Sequence, residues 1–187
     1  MKRISVFAML VVCLLLGGCD SWLEMNNEEN NITRITENVD FVAVGATCNH
    51  YPAGSGEFAD RENYTIELLG KEVGTLTDAM ILDLIAPKGV TSPVGTYQVG
   101  NIGSYLALPR YDVTNVSTGQ VYYGGSFYGR AVEGYIQDYF AFLTSGVVTI
   151  AHDPASNAYT ITVDARSGDY TIKVSYVGVM TIGKAAE

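Results

Sequence analysis

Histidine is nearly absent, with two in 187 residues, beside one tryptophan, three cysteines and five prolines. Two imidazoles and three thiols leave little material for a metal cluster or a catalytic triad. Basic residues are scarce as well: 11 Lys+Arg stand against 20 Asp+Glu, a formal charge of −9. A chain this acidic lacks the basic face that grips a phosphate backbone, so nucleic acid is not an expected partner. Catalytic signatures are missing too: no G-x-S-x-G elbow, no phosphate loop, no G-x-G-x-x-G after a strand and no EF-hand spacing. With twenty acids some carboxylate pair always qualifies for glycoside hydrolysis, so that pattern has no specificity. We therefore expect no metal, no cofactor and no catalytic residues. What the chain does have is a hydrophobic fraction of 48%, 20 glycines and 13 tyrosines. That is enough apolar material for one folded domain, and it excludes wholesale disorder.

The N-terminus reads as an address. Lys2 and Arg3 precede an apolar run from Ile4 to Leu16. Its thirteen residues fall short of the roughly 20 that cross a bilayer as a helix, and suit a cleaved secretory signal. The run ends in Leu16-Gly17-Gly18-Cys19. An aliphatic residue, two small residues and a cysteine resemble the lipobox of bacterial lipoprotein precursors. Small residues fit a protease cleft, and the thiol just after the cut accepts a diacylglyceryl group. The resemblance implies cleavage after residue 18, with Cys19 as the lipidated first residue. Several acyl chains on one residue anchor stably, each buried CH₂ adding about 0.8 kcal/mol. Loss of Lys2 and Arg3 leaves nine bases against twenty acids, a mature charge of −11.

Residues 19–37 then read as lipidated cysteine and tether, because Asp20 to Thr36 is rich in Asn and Glu and has no sustained period. An acid-rich stretch behind the lipid cysteine resembles the export signal of Bacteroidetes-type surface lipoproteins. Asp directly after the cysteine, in enterobacterial lipoproteins, favours inner-membrane retention instead. We expect an outer-membrane anchor with the domain facing the cell surface rather than the periplasm. Trp22, three residues from the lipid, suits an interfacial anchor.

From residue 38 onward the pattern has period two. Tyr64, Ile66 and Leu68 alternate with Thr65 and Glu67. Tyr159, Ile161 and Val163 alternate with Thr160 and Thr162. Tyr170, Ile172, Val174 and Tyr176 alternate with Thr171, Lys173 and Ser175. One face apolar and one wet is the mark of antiparallel sheets. Turn residues at 87–89, 153–157 and 166–169 separate the runs and predict a C-terminal meander. About nine strands over 38–187 predict an all-β, single antiparallel β-sandwich, with a small β-barrel as the alternative. Val132, Tyr135, Ile136, Tyr139, Phe140 and Leu143 follow helical spacing and predict one short helix near 131–143. A strand over 138–143 is the other reading. The chain also resembles the small all-β lipoproteins of Bacteroidetes-type envelopes.

Site residues come from composition rather than motif. Residues 122–142 hold eight aromatics, and Tyr122, Tyr123, Tyr128, Tyr135 and Tyr139 are the candidate ligand-binding set. Rings beside carboxylates and amides suit a sugar face or a protein interface. Core packing explains the same residues without a ligand. Cys48 and His50, at i and i+2, fit no metal or nucleophile spacing. Cys48 reads as a small buried side chain. The expected function is a lipid-anchored, non-enzymatic domain binding a glycan or a surface protein. A structural subunit or anchor of a fimbria-like assembly is the alternative, and an envelope hydrolase is a third.

Overall fold

The period-two runs become strands. The computed structural model describes residues 33–54, 60–100, 102–114, 121–132 and 135–184; for 113, 114, 121–123, 135–138 and 184 it describes the backbone alone. Cys19, the apolar leader and most of the tether lie outside the described residues. Thirteen strands follow in chain order among the described residues. They are β1 (Val39–Tyr51), β2 (Arg61–Gly70), β3 (Leu76–Pro87), β4 (Gly95–Val99) and β5 (Leu106–Ala107). Next come β6 (Tyr111–Thr114), β7 (Val121–Gly124), β8 (Phe127–Val132) and β9 (Tyr135–Phe142). The last are β10 (Ser145–Asp153), β11 (Ala158–Ser167), β12 (Tyr170–Gly178) and β13 (Thr181–Lys184).

Eight of them close on themselves, in the order β1-β2-β3-β5-β4-β10-β11-β12 and back to β1. The sheet is therefore a barrel, not the sandwich favoured by strand rhythm. Closure depends on β1, whose first half pairs parallel with β12 (Val39 opposite Ile172). Its second half pairs parallel with β13 (Thr47 opposite Thr181). β4 and β5 are parallel too, which corrects the expectation of a purely antiparallel sheet. The predicted meander is present: β10–β11 and β11–β12 are antiparallel hairpins. Their turns use Asn157 at φ 54° and Gly168 at φ 56°, the left-handed region that Asn and Gly tolerate.

An eight-stranded barrel is just wide enough for side chains to fill its interior. Here Tyr64, Ile66, Leu68, Met80, Leu82, Leu84, Tyr97, Tyr128, Ile150 and Ile161 are fully buried in one core. Each large apolar side chain so buried contributes about 1.5–3 kcal/mol. Thr160, Thr162, Asp164 and Lys173 face water. Along β11 the inward face is apolar and the outward face polar.

No helix forms among the described residues of 131–143. Ala131 and Val132 end β8 and Tyr135–Phe142 is β9, which pairs antiparallel with β8, and β8 lies on the β3 edge. The helical spacing misled because both faces of the hairpin are covered. Tyr128 and Ala141 turn into the barrel core, while Phe127, Phe140 and Phe142 form a ring cluster on the other side. Arg34 lies over the Phe140 ring. A strand that is apolar on both faces loses its period-two signature. β3 shows the same effect: from Ala79 to Ala86 every residue is buried. A second small core of Ile85, Leu106, Leu108 and Tyr111 covers its outer side.

Candidate functional site

Among the described side chains, neither of the candidate tyrosines, Tyr128 and Tyr139, presents a fully exposed ring. Tyr122, Tyr123 and Tyr135 lie on β7 and β9, and their side chains are outside the described residues. Tyr128 has 0% exposure and cannot present its ring to a sugar. Its hydroxyl donates to Asp78 Oδ1 at 2.6 Å, and burial, with this bond to Asp78, raises its pKa. Tyr139 is half-buried. Arg130 sits 4.6 Å over its ring and Glu37 accepts its hydroxyl at 3.2 Å. Arg130 also donates to Asp78 Oδ1 at 3.2 Å. These groups form a bonded network at the lower rim that joins the segment before β1 to β3, β8 and β9.

The upper rim holds the Cys48–His50 segment. His50 stacks on Tyr64 with centroids 4.5 Å apart. His50 Nε2 lies 2.8 Å from Glu62 Oε2. Glu62 also accepts the Ala53 N–H at 3.1 Å and the Gly89 N–H at 2.8 Å. Burial pushes the Glu62 pKa up, but the bonds from Gly89, His50 and Ala53 outweigh it and hold the carboxyl below its usual range. One carboxylate thus ties two loops across the rim. Tyr64 and Tyr97 close it further by donating to the carbonyls of Val90 and Pro93. Burial pushes the Cys48 thiol up to about 12, so it stays protonated and is a packing residue, not a nucleophile.

This rim makes a pH prediction. A depressed carboxylate pKa adds stability that is present above the unfolded value and is lost as pH falls through the folded one. Glu62→Gln is expected to flatten the acid limb of stability below about pH 4. It also weakens the bonds to two loop N–H groups, each worth roughly 1–3 kcal/mol if left unpaired in a buried site. Urea midpoints of both proteins across the acid range provide the measurement. Parallel acid limbs would contradict the tie.

A third group lies on the outer wall, where the register aligns polar side chains in rows. Thr181, Thr47, Glu67, Ile81 and Phe127 run across β13, β1, β2, β3 and β8. Gly183, Asn49, Thr65 and Asp83 form the next row. Tyr51, Asn63, Ile85 and Leu106 form the third. Asp83 is buried and held by the Asn63 amide at 2.6 Å and the Tyr111 hydroxyl at 2.7 Å. Burial, with the Asp83 charge, raises the Tyr51 pKa. Glu67 is only 6% exposed, and its Oε1 has no hydrogen-bond partner. Burial raises its pKa and a bond from Thr47 lowers it in part, with a net rise. An unmatched buried carboxyl oxygen costs stability and calls for a reason.

Sequence reasoning missed this wall. Glu67 and Asp83 are sixteen positions apart and alternate with core residues, so each reads as an ordinary wet-face acid. Only the register of five strands assembles them. The chain matches no protein-family model, no curated protein and no solved structure.

Proposed function

We propose that this chain is a lipid-anchored protein of the bacterial cell envelope whose β-barrel binds a ligand or a partner protein without transforming it. The observation that carries the anchor is the Leu16-Gly17-Gly18-Cys19 tetrapeptide behind a basic start and an apolar run. The filled barrel interior supports binding on the outer surface rather than carriage inside. Domains tethered by acyl chains and carrying strong negative charge stand off anionic membrane surfaces, which suits a protein that samples its surroundings.

Cys19→Ala is expected to abolish acylation and move the protein from the membrane to the soluble fraction. Labelling with a palmitate analogue and fractionation read the outcome directly. Retention in the membrane fraction without label would refute the anchor. Protease shaving of intact cells distinguishes a surface from a periplasmic domain.

A second reading, a structural subunit of a surface assembly, has one observation in its favour. Val42, Val44, Val177 and Val179 are exposed beside the point where β12 leaves β1. Its mark would be self-association of the Cys19→Ala protein.

A further inference from the structure

We propose that the outer wall formed by β13, β1, β2 and β3 is a binding site for an uncharged polyhydroxylated ligand, a glycan segment, with the Glu67 carboxyl as its central acceptor. This rests on the reading of the protein as a binding module, and it supplies the ligand class. The unpartnered Oε1 of Glu67 is the starting point, because natural proteins rarely leave such an atom buried without use. By strand parity Glu67 turns outward with Thr65, while Tyr64, Ile66 and Leu68 fill the barrel.

The surroundings specify the chemistry. The hydroxyls of Thr47 and Thr65 and the amides of Asn49 and Asn63 occupy the rows around Glu67. These groups both donate and accept, as sugar hydroxyls do. Tyr51, half-buried, pairs with Asn63 in the third row, so ring surface for an apolar sugar face lies next to the polar rows. Gly183 lets the Asn49 amide pack close to β13: an added Cβ would lie 3.3 Å from Asn49 Oδ1. None of the residues in the three rows is basic, so nothing there would hold a phosphate or a carboxylate. Arg61, one position beyond Asn63 on that face, donates to the Gly103 carbonyl. The shielding of Oε1 defines the binding step: the carboxyl swings outward from under its neighbours to meet a ligand hydroxyl.

The test uses the full chain carrying Cys19→Ala, with ¹⁵N label, titrated with maltohexaose, cellohexaose, xylohexaose and mannohexaose. A chitosan oligomer serves as the amine-bearing arm. The expected result is a shift of the Asn49 and Asn63 side-chain amides with at least one neutral sugar. Glu67→Ala is expected to weaken that binding about tenfold, the effect of one lost hydrogen bond. Asn49→Ala, at a half-buried position, provides a second variant should Glu67→Ala disturb folding. The proposal is overturned if no neutral sugar shifts these amides, if both variants bind as the parent does, or if only the chitosan oligomer binds. Acylation and fractionation at Cys19 are read separately, so failure of the anchor and failure of the site are distinguishable.

Discussion

Gly146→Ala is expected to destabilise the barrel by about 3 kcal/mol or more. Gly146 has φ 120° on β10, a region that residues with a Cβ rarely enter. Space is missing as well as conformational freedom. A methyl group there would collide with the Asp164 carbonyl oxygen and with Ala165 on β11, which are strand backbone and cannot rotate away. Gly74 is the control, at φ 66° with nothing within 4 Å of a built Cβ. Gly74→Ala bears the dihedral penalty alone, about 1–2 kcal/mol. Denaturant midpoints of both variants measure the difference. Equal effects would show that the β10–β11 approach is looser than described and that dihedral strain dominates.

Tyr128→Ala should cost about 3–5 kcal/mol, the usual loss for removing a large aromatic from a packed core. Tyr128 packs against Phe41 and Tyr139, with ring centroids 6.2 and 6.3 Å away. Truncation leaves a void under the β8–β9 hairpin and removes the hydroxyl from Asp78. Tyr128→Phe separates these effects: it keeps the ring and loses about 1 kcal/mol for the hydrogen bond. The pair also decides between the two readings of the aromatic segment. A binding residue at the surface would change ligand affinity with little change in stability. A core residue does the opposite, and full burial places Tyr128 in the core. Thermal or urea denaturation of the two variants reads this directly; a Tyr128→Ala protein as stable as the parent would overturn the assignment.

The aromatic segment shows why composition alone leaves a core and a binding face unseparated. Aromatics concentrate at 122–142 because two strands there are covered on both sides, and rings fill such layers well. The same concentration would arise at a sugar platform, and one sequence cannot separate the two. Exposure separates them for Tyr128, which is buried. The Cys48 reading needed less. With no C-x-x-C or H-x-x-x-H spacing nearby, a small buried thiol was the simpler expectation, and burial under the Glu62 tie agrees with it. Glu62 and Glu67 show the opposite limit. They lie on one strand five residues apart, face opposite sides of the wall, and have pKa values displaced in opposite directions. Nothing in their flanking residues announces that.

Alternation along a strand is a local property, set by the pleat and by which face must leave water. It was therefore legible in the sequence, as were the turns at Asn157 and Gly168 and the resulting all-β class. The lipobox resemblance is local too, because it rests on four consecutive residues and a leader. Closure is not local. Val39 meets Ile172 across more than 130 positions, through a parallel pairing that no turn signals. That pairing turns an open sheet into a barrel and fills its interior with tyrosine and aliphatic side chains, with Thr47, Asn49, Thr65 and Asn63 left on the outer side. The tertiary structure alone decides this, because register across distant strands is set by packing the whole interior at once, and only then do Thr47, Asn49, Glu67 and Asp83 become neighbours.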